Sequence, residues 1–205
     1  MLQVVTYPHP TLRHRSKALR RVDQQVVQWI EQMFQLMYEH QGVGLAANQV
    51  DLPYRFFVMN PSGDPEQKDQ ELAVLNPVLS RHRGSQEDEE GCLSIPEVRA
   101  PVVRAAKVVL DGFGLEGRPI HLQLEGFAAR VAQHECDHLD GVLFIDRLSP
   151  TALAEVKPAL EELELEFRSR RSSGEIPDDE TILQRLAQLE HERCQVPQRQ
   201  GEPAG

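Results

Sequence analysis

Apolar residues recur at helical spacing near the start of the chain. A set of five, Val27, Ile30, Met33, Phe34 and Met37, follows Asp23 and precedes Gly42. Steps of three and four residues place such side chains on one face of a helix. Asp is a favoured helix N-cap, and Gly commonly ends a helix. The pattern therefore predicts an N-terminal helix that buries this face in the core.

A different pattern follows, in which short apolar runs are separated by Gly, Pro and Asp. Four such runs, rich in Val, Leu, Ile and Phe, span residues 55–60, 72–78, 107–110 and 119–124. Residues of this kind favour strands. A second helical pattern begins near Gly126 and places four residues on one face, namely Phe127, Val131, His134 and His138. The order predicts an α+β fold, with short antiparallel or mixed β-sheets packed around this central helix.

The composition changes beyond Pro150. Residues 151–205 carry twelve acidic and seven basic residues, which is half of the net charge of −10. We predict a catalytic domain over residues 1–150 and an acidic, helical and partly disordered appendage over 151–205. Three leucines, Leu183, Leu186 and Leu189, fit a weakly ordered partner segment better than a second domain.

Charge and cysteine content narrow the class of protein. The net negative charge argues against general or sequence-specific nucleic-acid binding, and we interpret the basic residues between 13 and 21 as a solvated surface. Three widely spaced cysteines without a CxxC pair indicate a reducing compartment, so we expect a cytoplasmic protein. The N-terminus shows no leader pattern, and no apolar run approaches the roughly 18 residues of a membrane span.

The string His134-Glu135-Cys136-Asp137-His138 is the strongest chemical signal. Two histidines four residues apart on a helix lie on one face and supply two metal ligands. Glu135 is then placed to act as a general base on water rather than as a ligand. Cys136 is expected to point away from the metal and pack, and Asp137 to make a structural hydrogen bond.

A catalytic metal site needs a third protein ligand, and the residues offer three answers. The metzincin pattern fails, because Phe144 stands where its third histidine belongs. A downstream glutamate is the second answer, with candidates at Glu155, Glu161, Glu162 and Glu164. The third answer is Cys92, whose thiolate would complete a Cys-His-His set.

Three strings together resemble the signature motifs of the peptide deformylase family: GVGLAANQ at 42–49, EGCLS at 90–94 and QHECDHLDG at 133–141. The resemblance covers roughly residues 1–150 and implies that Cys92 is the third ligand. It also implies an enzyme that removes the N-formyl group from the initiator methionine of nascent polypeptides and releases formate. The family's usual metal is Fe(II); Zn(II), Ni(II) and Co(II) also suit this ligand set.

The resemblance implies roles for further residues. Water activated at the metal attacks the formyl carbon, while Glu135 serves first as general base and then as general acid. The Gln49 side-chain amide and the Leu93 backbone N–H stabilise the negative charge that develops on the carbonyl oxygen. The expected substrate-binding residues are Val43, Gly44, Glu90, Gly91, Arg99, Phe127 and Val131.

Several features leave alternatives open. Asp88 stands where many family members carry an apolar residue, and Arg130 fits either the cleft entrance or the surface. Some members contact the ribosome through a basic C-terminal helix; the acidic tail here leaves only transient ribosome association as the expectation. The runner-up functions are an H-E-x-x-H metallopeptidase and a catalytically silent, metal-stabilised binding module.

Overall fold

The computed structural model describes residues 1–195. Within them lie four α-helices: α1 (Gln24–Glu39), α2 (Gly126–Leu139), α3 (Pro150–Ser172) and α4 (Asp179–Arg193). The strands are β1 (Gly44–Ala46), β2 (Phe56–Met59), β3 (Leu72–Arg83), β4 (Gln86–Cys92), β5 (Ile95–Arg104), β6 (Lys107–Phe113) and β7 (Pro119–Glu125).

The predicted N-terminal helix is α1. The Asp23 carboxylate accepts a hydrogen bond from the Val26 N–H at 3.1 Å, as expected of an N-cap. The buried residues of α1 recur at helical spacing and are Val26, Ile30, Met33 and Met37. The helix therefore turns three residues of the predicted face into the core, whereas Val27 and Phe34 are half-buried and Val26 takes the place of Val27.

Five strands form one antiparallel sheet in the order β1-β2-β3-β6-β7, and β4 pairs with β5 in a separate hairpin. The α+β prediction is thus confirmed. Neither β4 nor β5 was among the predicted strands. Residues 86–90 of β4 are Gln-Glu-Asp-Glu-Glu, a polar run that gives no apolar alternation, and only Glu90 among them is buried.

The helix α2 and the hairpin β4–β5 belong to different apolar clusters. The first cluster, the sheet core, joins α2 to the five-stranded sheet through buried residues that include Phe57, Val74, Leu110, Val131 and Leu139. The second, the hairpin core, joins β5 to α3 and to the turn at residues 143–145 and includes Ile95, Val98, Val102, Phe144 and Leu160. The gap between these two cores holds the candidate site described below.

The appendage is helical, as predicted, but residues 179–193 are more regular than the weakly ordered segment that we expected. Ile182 and Leu186 lie four residues apart on α4 and pack against Phe167 of α3. The Tyr54 hydroxyl donates to the Leu189 carbonyl at 2.9 Å. Residues 196–205 of the predicted appendage lie outside the described residues, and the domain boundary at residue 150 stays a prediction.

No helix within residues 1–195 is long and apolar enough to cross a membrane.

Gly141, two residues after the end of α2, is expected to be intolerant of a side chain. Its φ is +75°, and a Cβ would lie 2.6 Å from the Arg13 carbonyl oxygen. We expect Gly141→Ala to lower the free energy of unfolding by about 2 kcal/mol or more, since left-handed strain and steric overlap add. Urea denaturation measures this loss.

Gly117 provides the matched control. Its φ is +73°, and a Cβ there would meet no other atom within 4 Å. Gly117→Ala should therefore lower the free energy of unfolding only by the cost of placing alanine in a left-handed backbone conformation. Equal losses in the two variants would contradict the importance of the Arg13 contact.

Candidate active site

Three side chains with metal-binding atoms converge between the hairpin and α2. Cys92 ends β4, and His134 and His138 lie one turn apart on α2. The ligand atoms of the three residues all lie within 4.8 Å of one another. His138 Nε2 is 3.2 Å from Cys92 Sγ and 3.2 Å from His134 Nε2. One thiolate and two imidazoles suit a divalent transition metal, so the residues fit an ion of the kind that the family resemblance implies.

The orientation of His134 is fixed by Glu90. His134 Nδ1 lies 3.0 Å from Glu90 Oε2, which leaves Nε2 facing His138 and Cys92. Metal-binding histidines commonly donate their second ring nitrogen to a carboxylate in this way. Burial alone would raise the pKa of Glu90, but hydrogen bonds from Arg104 and His134 lower it. The Glu90 carboxylate therefore stays ionised beside the ligand.

Arg104 holds that carboxylate from the other side. Its Nε and Nη2 donate to the two oxygens of Glu90, each at 2.8 Å. Its Nη1 donates to Asp137, which also pairs with Arg147. Asp137 thus makes the structural hydrogen bonds expected of it. Buried Arg104 connects the strand β5 to the helix that carries both histidines.

Glu135 is placed for proton transfer. Its side chain lines the cleft and is buried, and its Oε2 has no hydrogen-bond partner among the described residues. Burial raises the pKa of Glu135 to about 7. Gly44 lies against it, and a Cβ there would overlap the carboxylate. A side chain at position 44 would therefore displace the Glu135 carboxylate from its place beside β1.

The amide of Gln49 has one defined orientation. Its Oε1 accepts a hydrogen bond from the Ala46 N–H at 2.8 Å, which assigns the other end of the amide as the donor. Nε2 lies 3.2 Å from Ser94 Oγ and 3.4 Å from Cys92 Sγ. The donor thus faces the ligand sulphur. Leu93 follows Cys92 in the chain and also lines the cleft.

These groups open into a cleft of about 560 Å³ between the hairpin and α2. Every expected substrate-binding residue lies on its wall: Val43, Gly44, Glu90, Gly91, Arg99, Phe127 and Val131. Asp88 is not among the lining residues that the structure describes, and Arg130 is one of them. The sequence left two positions open for Arg130, the cleft entrance and the surface. The surface position is wrong, because the side chain is buried.

Sequence reasoning missed two residues that support the site. Arg104 belongs to the buried set of β5, and a buried glutamate such as Glu90 signals that a cation must lie nearby. Asn48 is fully buried, and its Nδ2 donates to the carbonyl of His138 at the end of α2. No local pattern predicts that contact. Cys136 packs in the sheet core, as expected, and burial raises the pKa of its thiol to about 12.

Comparison with known proteins identifies the family of this chain. Residues 1–153 match the family model for polypeptide deformylase. A peptide deformylase from Rhodopirellula baltica is 44% identical over 189 residues, which is 92% of this chain and 94% of that protein.

Solved structures give the same result. A plant peptide deformylase, PDF1B, superposes with a TM-score of 0.80 at 36% identity, covering 87% of this chain and 95% of that one. The peptide deformylase of Thermotoga maritima gives 0.68 at 40% identity, covering 73% of this chain and 99% of that one. The chain therefore belongs to the polypeptide deformylase family, metal-dependent enzymes that remove the N-formyl group from nascent polypeptides.

Proposed function

We propose that this chain hydrolyses the formyl amide of N-terminal formyl-methionine at the centre formed by Cys92, His134 and His138. The observation that carries the proposal is the convergence of the three ligands, two of which, Cys92 and His134, line one cleft together with Glu135 and Gln49. Hydrolysis breaks the bond between the formyl carbon and the methionine nitrogen. The products are formate and a polypeptide with a free amino terminus.

The three ligands would hold one divalent ion. When bound, the ion supplies Lewis acidity that activates water for attack on an amide carbon near neutral pH. We propose Fe(II) as the native metal, on the family resemblance. The same donor set suits Zn(II), Ni(II) and Co(II), because selectivity depends on geometry and metal availability.

Glu135 moves the protons of the reaction. Its carboxylate accepts a proton from the attacking water and returns it to the methionine nitrogen as the carbon–nitrogen bond breaks. Burial favours the protonated form of this carboxyl, which suits the return of the proton to the methionine nitrogen. No covalent bond between enzyme and substrate is needed.

Two donors stabilise the charge that develops on the formyl oxygen. Gln49 contributes its Nε2, which Ala46 orients through the opposite end of the amide. Leu93 contributes its backbone N–H, next to the ligand Cys92. Because both donors are held in place before reaction, they need no reorganisation when the charge forms.

The residues of the cleft wall bind different parts of the substrate. Val43, Phe127 and Val131 supply apolar surface for the methionine side chain. The backbone of Gly44 and Gly91 and the exposed side chain of Arg99 hold the peptide that follows. Glu90 lines the same cleft, but Arg104, Arg130 and His134 occupy its carboxylate, which supports a role in orienting His134. We further propose cytoplasmic action and transient association with the ribosome.

Formate release from formyl-Met-Ala-Ser tests the proposal. Protein purified without oxygen and loaded with Fe(II) is expected to release formate and leave the peptide backbone intact. A metallopeptidase would cleave the backbone of both formylated and acetylated peptides. A silent binding module would bind the peptide and release nothing.

Gln49→Leu is expected to lower kcat by about 10²–10³-fold, the typical effect of removing one oxyanion donor. Metal content should stay unchanged, because Gln49 is not a ligand. Steady-state formate release measures kcat, and atomic absorption measures the metal. Gln123→Leu, on the exposed face of β7, is the control. A Gln49 variant within threefold of the parent would remove Gln49 from the mechanism.

A further inference from the structure

The active-site cleft lies at the boundary between the two apolar cores. Cys92 packs against the hairpin core, whereas α2, with His134 and His138, packs into the sheet core. Apolar packing holds each core together. Across the boundary His134 stacks on Phe144 of the hairpin core, and the other contacts that set the separation of the hairpin from α2 at the cleft are polar.

Arg130 makes three of those contacts with one guanidinium group. Nη1 donates to Glu90 Oε1 at 2.6 Å and to the Val102 carbonyl at 2.9 Å. Nη2 donates to the Gln86 carbonyl at 2.8 Å. Gln86 and Glu90 lie on β4 and Val102 lies on β5, so a single side chain of α2 binds both strands of the hairpin.

The position of Arg130 distinguishes it from a second connection. Gln133, also on α2, donates to the Ala105 carbonyl at 2.9 Å and accepts from the Ala105 N–H at 3.0 Å. Ala105 lies beyond the end of β5. Arg130 lines the cleft, and its side chain is only 6% exposed. Two contacts described above, of Glu90 with His134 and of Arg104 with Asp137, also join the hairpin to α2. Arg130 differs from them because it lines the cleft and binds both strands of the hairpin at once.

The chemistry of arginine suits this position. Its planar fork donates in several fixed directions and keeps its charge when buried, so it can hold a carboxylate and two carbonyls together. The ammonium of lysine is a compact group and does not reproduce that geometry. The apolar stem of Arg130 remains available to the cleft wall.

We propose that Arg130 is a positioning residue that fixes the hairpin relative to α2, and thereby sets both the place of Cys92 beside His134 and the width of the cleft. The effect on substrate rests on the proposed function. The effect on the metal ligands does not, because it depends only on the contacts of Arg130 with β4 and β5.

Arg130→Met tests this directly, since it keeps an apolar stem and removes the guanidinium. We expect Co(II) to bind roughly 10–100-fold more weakly than to the parent, with altered visible absorption bands from the cobalt–thiolate centre. For the Fe(II) enzyme, kcat/KM for formyl-Met-Ala-Ser should fall by roughly 10–100-fold, with a rise in KM. Arg118→Met, which removes an exposed arginine of the β6–β7 turn, should match the parent in each measurement.

Arg130→Lys keeps the positive charge beside Glu90. It is the variant to measure if Arg130→Met does not fold. Its Co(II) affinity should lie between those of the parent and Arg130→Met. A folded variant with a lowered melting temperature but unchanged Co(II) affinity, absorption bands and KM would overturn the proposal in favour of a purely structural role. If the parent binds Co(II) yet releases no formate, the proposed function fails, while weakened Co(II) binding in Arg130→Met still supports the positioning role.

Discussion

Replacing Glu135 by glutamine is expected to lower formate release by roughly 10²–10⁴-fold, the range that a positioned general acid–base group contributes. Glutamine has nearly the same shape as glutamate but cannot accept the proton of the attacking water. Because Glu135 is buried against Gly44, the substitution preserves packing in that contact. The loss should therefore appear in kcat, with peptide binding retained.

The measurement compares kcat and KM for formyl-Met-Ala-Ser at matched Fe(II) content. Glu125→Gln is the control, since Glu125 immediately precedes α2 and its side chain is 63% exposed. The control should retain the parent's activity. If Glu135→Gln kept more than about a tenth of the parent's kcat, another group would have to move the proton.

Arg104→Leu is expected to lower the free energy of unfolding by about 3–5 kcal/mol, the usual cost of removing one partner from a buried ion pair. Its side chain is 3% exposed and binds Glu90 as well as Asp137. Without Arg104, Glu90 keeps Arg130 but loses two hydrogen bonds, and Asp137 keeps only the more exposed Arg147. Urea denaturation of the metal-free protein measures the loss.

A double variant separates lost charge from lost packing. Glu90→Gln removes the carboxylate that Arg104→Leu leaves undercompensated, so the double variant should recover part of the stability. If it is no more stable than Arg104→Leu alone, the loss comes from packing of the arginine stem or from buried Arg130, whose carboxylate partner the second substitution removes. The expected coupling also means that the double variant should lose less stability than the two single losses summed.

The sequence predicts the parts of the site that depend on local spacing. His134, Glu135 and His138 occupy one helix, and periodicity alone places them together. Cys92 lies 46 residues from His138; the residues alone offered it as one candidate for the third ligand, and the family resemblance selected it. Gln49 is 43 residues from Cys92 and was assigned in the same way.

What could not be predicted depends on contacts between distant segments. The strand β4 is polar for two reasons. One edge of the strand lines the cleft, and its buried residue Glu90 binds arginine side chains. The sequence patterns around Arg104 and Arg130 fit an exposed position as well as a buried one. Only the fold shows which carboxylate each arginine faces. The order of α4 likewise depends on packing against Phe167 and Tyr54, which no local pattern reports.

The docking of α4 on the N-terminal region has a consequence for the timing of folding. Tyr54 and its partner Leu189 are separated by 135 residues, so α4 is synthesised well after Tyr54. At 5–20 residues per second, a ribosome needs roughly 7–27 s to advance from one to the other. During translation, Tyr54 must therefore remain without its contact to Leu189 until α4 has been made. The folded enzyme, in turn, acts on other polypeptides while they are being translated.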